Sequence, residues 1–349
     1  MNGMLSDLAQ NHFAAFREHI ENTDPRSRWL VLTHNNPDPD ALAAAAILTK
    51  VLRSGFRRRV TAAYRGIIGR AENQEMVRSL DLDFSRARRL KLASYPYVAL
   101  VDCQPATGNS PLPAERMPEV VIDHHPARPS TAATPFHDIR TDYAAAATIA
   151  AEYLLASGVP ATRREATAIV YAIRSETLDF CRGSSAADRA IHDHFNAQAL
   201  PRLLGRIQNP RLPLDYFQTL REALDNLYGV DSLILSRLGP VAQPDIVPEI
   251  ADLLLRLEGC TWSMCSGLHE GRLYCSIRTT NSRANASRIM RRLVGRDGRG
   301  GGHGMIAGGW IPEAKGGEDA VRRQQDRLAV RLAGLLRKDP SRIVQISGP

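Results

Sequence analysis

Cysteine is scarce in this 349-residue chain, and the five present (Cys103, Cys181, Cys260, Cys265 and Cys275) include no CxxC pair. Odd in number and unpaired in spacing, they read as free thiols of a reducing cytoplasm rather than as a disulfide framework. Aromatic residues make up only 6%, which argues against an extended base-stacking channel and favours short substrates over long strands. No apolar run approaches the ~20 residues needed to span a bilayer, so a membrane partner is not expected. The first twenty residues carry Asp7, Arg17, Glu18 and His19 and lack the apolar core of a signal peptide. They read instead as an amphipathic helix that packs through Leu5, Leu8, Phe13, Phe16 and Ile20. Internal repeats and low-complexity tails are also missing.

What remains is a globular composition, 44% hydrophobic with a formal net charge of +8, and a length that accommodates two domains. Arginine clusters at 57–59, 86–89 and 291–299 suit a phosphate-rich partner. Solvated surface arginines explain them equally well, and charge alone does not decide. From Trp29 to Phe180 strand and helix patterns alternate. Strands are expected at Trp29–His34, Val60–Tyr64, Val98–Asp102 and Val120–Asp123, with helices at Asp40–Leu52, Glu72–Leu80, Tyr143–Ala156 and Arg163–Arg174. That alternation implies an α/β fold with a mostly parallel sheet. The second half reads as a smaller α/β domain, with strands at Ser232–Leu238, Thr261–Ser266 and Arg272–Arg278, the last two forming a hairpin. Helices are expected there at Val247–Leu257, Arg283–Leu293 and Gly317–Leu336. The expected division is 1–185, a helical linker over 186–215, and 216–349.

Three of the apolar strands run into metal-ligand side chains. The first leads to His34, Asp38 and Asp40, the next to Asp102, and the last to Asp123-His124-His125. In open α/β sheets ligands bind at the carboxyl ends of the strands. Pro37 and Pro39 stiffen the first loop, so Asp38 and Asp40 can diverge toward different ions. His34 is close enough to share the ion of Asp38, Asp102 has two oxygens with which to bridge, and His124 completes the second site. Imidazole and carboxylate without thiolate suit Mn²⁺, Mg²⁺ or Co²⁺. Taken singly, each feature has an ordinary reading: Asp-Pro-Asp is usually a turn with a helix N-cap, a role Asp40 fits, and His-His is usually structural. Their recurrence at three strand ends favours metal.

These same residues, His34-Asn-Asn-Pro-Asp38-Pro-Asp40-Ala41, the isolated Asp102 and Asp123-His124-His125, resemble the first three motifs of the DHH phosphoesterase superfamily. Gly300-Gly301-Gly302-His303-Gly304-Met305-Ile306-Ala307-Gly308 resembles the glycine-rich signature of its DHH-associated C-terminal domain, and Ser276-Ile277-Arg278 its Ser-x-Arg strand. The resemblance implies two Mn²⁺ ions, one on His34, Asp38 and Asp102, the other on Asp40, Asp102, His124 and a fourth-motif acid. The sequence departs there, with Arg174-Ser175-Glu176-Thr177 where the family usually has Asp-Thr. Glu176 aligns best and Asp179 is the substitute. By the same resemblance Asp123 orients an imidazole and His125 faces the scissile phosphate as a donor or proton source.

Arg278, Gly301, Gly302 and His303 would hold a second phosphate of the substrate, with Arg283 and Asn285 as further candidates and the reacting phosphate in an interdomain cleft. The chain is most similar to the soluble, two-domain NrnA-like group. That similarity implies a hydroxide activated by two metals, acting on short oligoribonucleotides or phosphoadenosine phosphate (pAp). A cyclic or linear dinucleotide phosphodiesterase is the alternative, and a non-catalytic nucleotide-binding homologue the third reading. Homodimer assembly is left open.

Overall fold

A computed structural model describes residues 5–181 and 183–346, apart from the side chain of His303. Two units are present, Met1–Pro210 and Arg211–Pro349. The first holds six strands: β1 (Arg28–Leu32), β2 (Arg59–Tyr64), β3 (Ser85–Arg86), β4 (Tyr97–Val101), β5 (Val120–Asp123) and β6 (Phe136–Ile139). All neighbouring pairs are parallel, in the order β3-β2-β1-β4-β5-β6. Strands covered on both faces need apolar side chains on both, and β1, β4 and β5 are buried at nearly every position for that reason.

Among the described residues seven α-helices accompany this sheet: α1 (Asp7–Glu21), α2 (Pro39–Lys50), α3 (Ala71–Leu80), α4 (Ala146–Ala156), α5 (Arg163–Thr177), α6 (Ala186–Asn196) and α7 (Pro201–Gln208). Ala43 to Ala45 of α2 and Ala146, Ala147, Ala150 and Ala151 of α4 are fully buried in one core cluster. Small side chains let such helices approach closely. On α1, Phe13, Phe16 and Ile20 are buried as expected, whereas Leu8 faces solvent at 51% exposure. The helix α2 runs on into a wider turn over Val51–Gly55.

The chain leaves β1 for β2 and β3 on one side, then returns to β4 on the other. The ends of β1 and β4 are therefore neighbours at a topological switch point, where open α/β sheets bind ligands.

The stretch expected as a linker is helical, but Ile191, Phe195, Leu204 and Ile207 bury themselves in the first core, so α6 and α7 belong to the first unit. β3 and β6 were not foreseen. One has two residues, and the other, Phe136-His-Asp-Ile, is too short and polar to show a strand pattern.

The second unit carries a seven-stranded mixed sheet: β7 (Leu227–Val230), β8 (Leu233–Pro240), β9 (Trp262–His269), β10 (Arg272–Thr279), β11 (Arg299–His303), β12 (Ile306–Pro312) and β13 (Val344–Gln345), in the order β11-β12-β10-β9-β8-β7-β13. Its helices are α8 (Leu214–Asp225), α9 (Ile246–Leu254), α10 (Ala286–Val294) and α11 (Gly317–Leu335). The expected β9–β10 hairpin turns through Glu270 and Gly271, both with positive φ (45° and 72°), as two-residue hairpins prefer. One apolar cluster joins α10 and α11 to the sheet, and a second joins α9 and the end of α8.

Candidate metal centre

Asp102 sits at the middle of the site. It follows the last residue of β4 and takes a left-handed backbone, φ 54°, which Asp tolerates better than most side chains. Its carboxylate is 3% exposed. Oδ2 lies 3.4 Å from His34 Nε2, and Oδ1 lies 3.4 Å from His124 Nε2. One carboxylate thus presents a different oxygen to each of two imidazoles.

Each imidazole is oriented from behind. His34 Nδ1 is 2.9 Å from the Asn35 carbonyl and His124 Nδ1 is 3.2 Å from that of Tyr143. A carbonyl can only accept, so Nδ1–H donates and Nε2 is the nitrogen turned toward Asp102, the orientation metal-binding histidines use. His34 Nε2 is also 3.7 Å from Asp38 Oδ1. The ligating atoms of His34, Asp38 and Asp102 lie within 4.8 Å of one another, as do those of Asp102, Asp123, His124 and His125.

Asp38 is the N-cap of α2, accepting the Ala41 N–H at 3.0 Å, so the capping role suggested for Asp40 falls to Asp38. Asp40, one turn in, is buried and faces α4: the N–H of Ala146 donates to Oδ2 and that of Ala147 to Oδ1, both at 2.7 Å. Its Oδ2 is still 3.7 Å from His124 Nε2. Because its oxygens are drawn to those amides, Asp40 lies outside both tight clusters. Glu176, half-buried on the last turn of α5, also lies outside them, but its charge acts on Asp40. Asp179 is exposed and paired with Arg174.

Asp123 is buried at the end of β5. Its Oδ1 is 2.9 Å from His125 Nδ1 and accepts the backbone N–H groups of His124 and His125. Gln104 donates to its other oxygen at 2.7 Å, while the Gln104 carbonyl accepts from Arg128 N and Thr131 Oγ1. Sequence reasoning missed Gln104, and no spacing or residue type marks it.

Burial and the Asp102 charge push the Asp40 carboxyl well above the usual range. Burial also raises Asp102, but the imidazoles of His124 and His34 outweigh it and hold that carboxyl low. For His34 and His124 burial works downward and is overcome by the surrounding carboxylates, which lift His124 to about 10. Asp123 raises His125 against a smaller effect of burial.

This much carboxylate in a buried place fits divalent ions. The clearest sign is Asp102 Oδ1, a buried oxygen on which no hydrogen-bond donor is aligned. Two ligands on one ion with bonds of ~2.0–2.2 Å stand roughly 3–3.5 Å apart, close to the spacing on each side of Asp102.

In the second unit the Arg278 guanidinium is buried. It bonds Asp252 (2.5 Å), Ser276 Oγ (2.7 Å) and the Ile277 carbonyl (3.0 Å), ties that the sequence did not signal. Asn285 caps α10, accepting from Arg288 N at 2.9 Å. Arg283 is exposed.

The glycines of the β11–β12 hairpin differ in what surrounds them. Gly302 has φ 141°, and a Cβ there would lie 2.2 Å from the Ile306 carbonyl. Gly300 and Gly309 admit Met290 of α10. Gly301, by contrast, faces open space and pairs with Gly308. The His303 side chain lies outside the described residues.

The pattern of the DHH family N-terminal domain matches residues 28–173, and that of the DHHA1 domain residues 231–329. The chain carries a DHH domain followed by a DHHA1 domain. All the ligand candidates except Glu176 and its substitute Asp179 fall inside the DHH segment, and the Arg278 strand and glycine hairpin fall inside the DHHA1 segment.

An uncharacterized protein of Methanocaldococcus jannaschii is 31% identical over 313 residues, 87% of this chain and 63% of its own length. The chain thus spans less than two thirds of that relative. Among solved structures, an exopolyphosphatase-related protein from Bacteroides fragilis superposes with a TM-score of 0.73 at 16% identity, over 96% of this chain and 100% of its own, a likeness of fold. A putative family II inorganic pyrophosphatase from Methanococcus jannaschii gives a TM-score of 0.45 at 16% identity, over 86% and 99%. No helix among the described residues is long and apolar enough to cross a membrane.

Proposed function

We propose that this DHH–DHHA1 chain is a divalent-metal-dependent phosphoesterase, working with Mn²⁺ on short oligonucleotides and pAp. The observation that carries the reading is the placement of Asp102, one oxygen 3.4 Å from His34 and the other 3.4 Å from His124. DHH-family members are hydrolases of phosphate bonds, which supports the reaction class. His34, Asp38 and Asp102 would hold one ion, and Asp102, Asp40, His124 and Glu176 the other. Bound there, two such ions neutralise phosphate charge and lower the pKa of water.

The protein's own groups supply the rest. Asp123 holds His125 by Nδ1 and leaves the side chain 46% exposed. The raised pKa of His125 keeps it protonated to higher pH than free imidazole, as suits donation to a leaving oxygen. In the DHHA1 domain the open face of Gly301 and Gly308 lets main-chain N–H groups approach an anion closely. Arg278, fixed by Asp252 on the strand beside Gly308, adds positive charge near that face. Gly302, His303, Arg283 and Asn285 complete the proposed substrate-binding set.

The test is hydrolysis by metal-stripped protein, with and without Mn²⁺, of a dinucleotide, a five-nucleotide RNA, pAp and cyclic di-AMP. Mn²⁺-dependent release of mononucleotides or AMP is expected. Turnover of cyclic di-AMP alone moves the reading to a cyclic dinucleotide phosphodiesterase. Bound metal with no turnover of any of the four replaces catalysis with nucleotide binding.

A further inference from the structure

We propose that Asp188 is a positioning residue of the metal centre, acting through the N-terminal turn of α4. The inference rests on Asp40 and His124 being metal ligands. Helix α4 has no cap of its own, because the residue at its N-cap position is Ala145. The amides it leaves over go to Asp40, whose two oxygens accept from Ala146 and Ala147. The same short segment supplies the Tyr143 carbonyl that orients His124. Five residues of chain therefore hold one ligand from α2 and another from the end of β5. Whatever fixes this segment fixes both.

Asp188 does so from α6. It is 0% exposed. Its Oδ2 accepts the Ala144 N–H at 2.9 Å and its Oδ1 accepts the Thr148 hydroxyl at 2.5 Å, gripping the turn on either side of the amides that hold Asp40. A second tie comes from Arg140, which bonds the Tyr143 hydroxyl at 3.1 Å and Asp138. Residue 188 lies beyond the segment matched by the DHH pattern, so the metal centre of this chain depends on a helix outside that segment.

Asp188 also has a purely local duty. It forms a capping box with Ser185, accepting its N–H and hydroxyl at 2.8 and 2.7 Å while donating its own N–H to Ser185 Oγ. The two duties separate by mutation. Thr148→Val removes the hydroxyl tie to α4 and leaves the Ala144 tie and the box, whereas Ser185→Ala removes the hydroxyl half of the box and leaves both ties.

The experiment titrates metal-free full-length protein with Co²⁺ and Mn²⁺, reading Co²⁺ visible absorption and calorimetric affinity, alongside thermal unfolding. Outer partners of metal ligands typically contribute 10- to 100-fold in affinity. Thr148→Val and Asp188→Asn are expected to weaken binding roughly 10-fold, at the low end of that range, with an altered Co²⁺ spectrum. Ser185→Ala is expected to lower Tm while leaving affinity within about twofold, since N-cap loss is a local stability effect. Wild-type affinity and spectrum in Thr148→Val overturn the proposal even if Asp188→Asn fails to fold. A wild-type protein that binds no metal, or a His124→Ala variant that binds as tightly as wild type, overturns the metal-centre reading itself and this inference with it.

Discussion

Asp102 combines two demands that few side chains meet, a left-handed backbone and a carboxylate with two working oxygens. Asparagine shares the backbone tolerance but not the charge, so Asp102→Asn isolates the second demand. Loss of Mn²⁺ binding by at least about 100-fold is expected, in line with removal of a ligand rather than of an outer partner; calorimetry that finds binding intact would remove the bridging role. Glu176→Asp shortens the reach toward Asp40 by ~1.5 Å, one carbon–carbon bond. It should change Mn²⁺ affinity and turnover several-fold, while Asp179→Ala, at a residue already committed to Arg174, should leave both unchanged. The reverse pattern would make Asp179 the ligand. At this scale the charged and imidazole candidates were legible because their chemistry is written in the residue type. Gln104, Tyr143 and Asp188 were not, because each acts through a contact 19 to 44 residues away in the chain.

At the scale of elements, the long apolar strands and periodic helices announced themselves, and the short polar β6 did not. The linker reading of residues 186–215 failed because amphipathic helices look alike whether they join domains or cover a core. The glycine hairpin shows the same ambiguity at finer grain, since one motif contains glycines needed for space and others that leave space. Gly302→Ala forces a side chain into the Ile306 carbonyl at a φ nearly exclusive to glycine. Strain of that kind costs of order 1–3 kcal/mol before any clash, so a clear drop in Tm is expected in thermal melts. Gly301→Ala meets nothing within 4 Å and should leave Tm within about 2 °C, as surface changes do. If the proposed anion face is real, KM rises in Gly301→Ala while Tm stays. An unchanged KM would take Gly301 out of the substrate site.

For the whole molecule, both units bury groups that must stay neutral. Burial pushes the Cys275 thiol up to about 12 from 9.0 and that of Cys265 higher still. Burial and the Glu152 charge push Tyr143 up to about 12 from 10.0. A raised pKa means the folded state favours the protonated form, so this stability is complete below the unfolded values and is lost as pH rises toward the folded ones. Tm of the metal-free protein should begin to fall above about pH 6.5, as the contribution of His124 is lost on the way to its folded value of about 10, and fall further between about 9 and 12 as the buried thiols and Tyr143 ionise. The cysteines provide a parallel readout: Cys181 is exposed and Cys260 partly so, while Cys103, Cys265 and Cys275 are buried. At pH 8 the native protein should show one fast thiol and three that react only on unfolding. Rapid reaction of all five in native protein would contradict the burial.

Asp40 is held by the main chain of Ala146 and Ala147, not by their side chains. Genetic drift can therefore exchange either alanine for another small residue and never touch the donor. Proline is the exception, and an unusual one. The first position of a helix is where proline is ordinarily welcome, yet at 146 it would delete an amide that Asp40 uses. A library selected for function should accept glycine or serine there and be empty of proline, a gap that an inventory of side-chain contacts would not foretell.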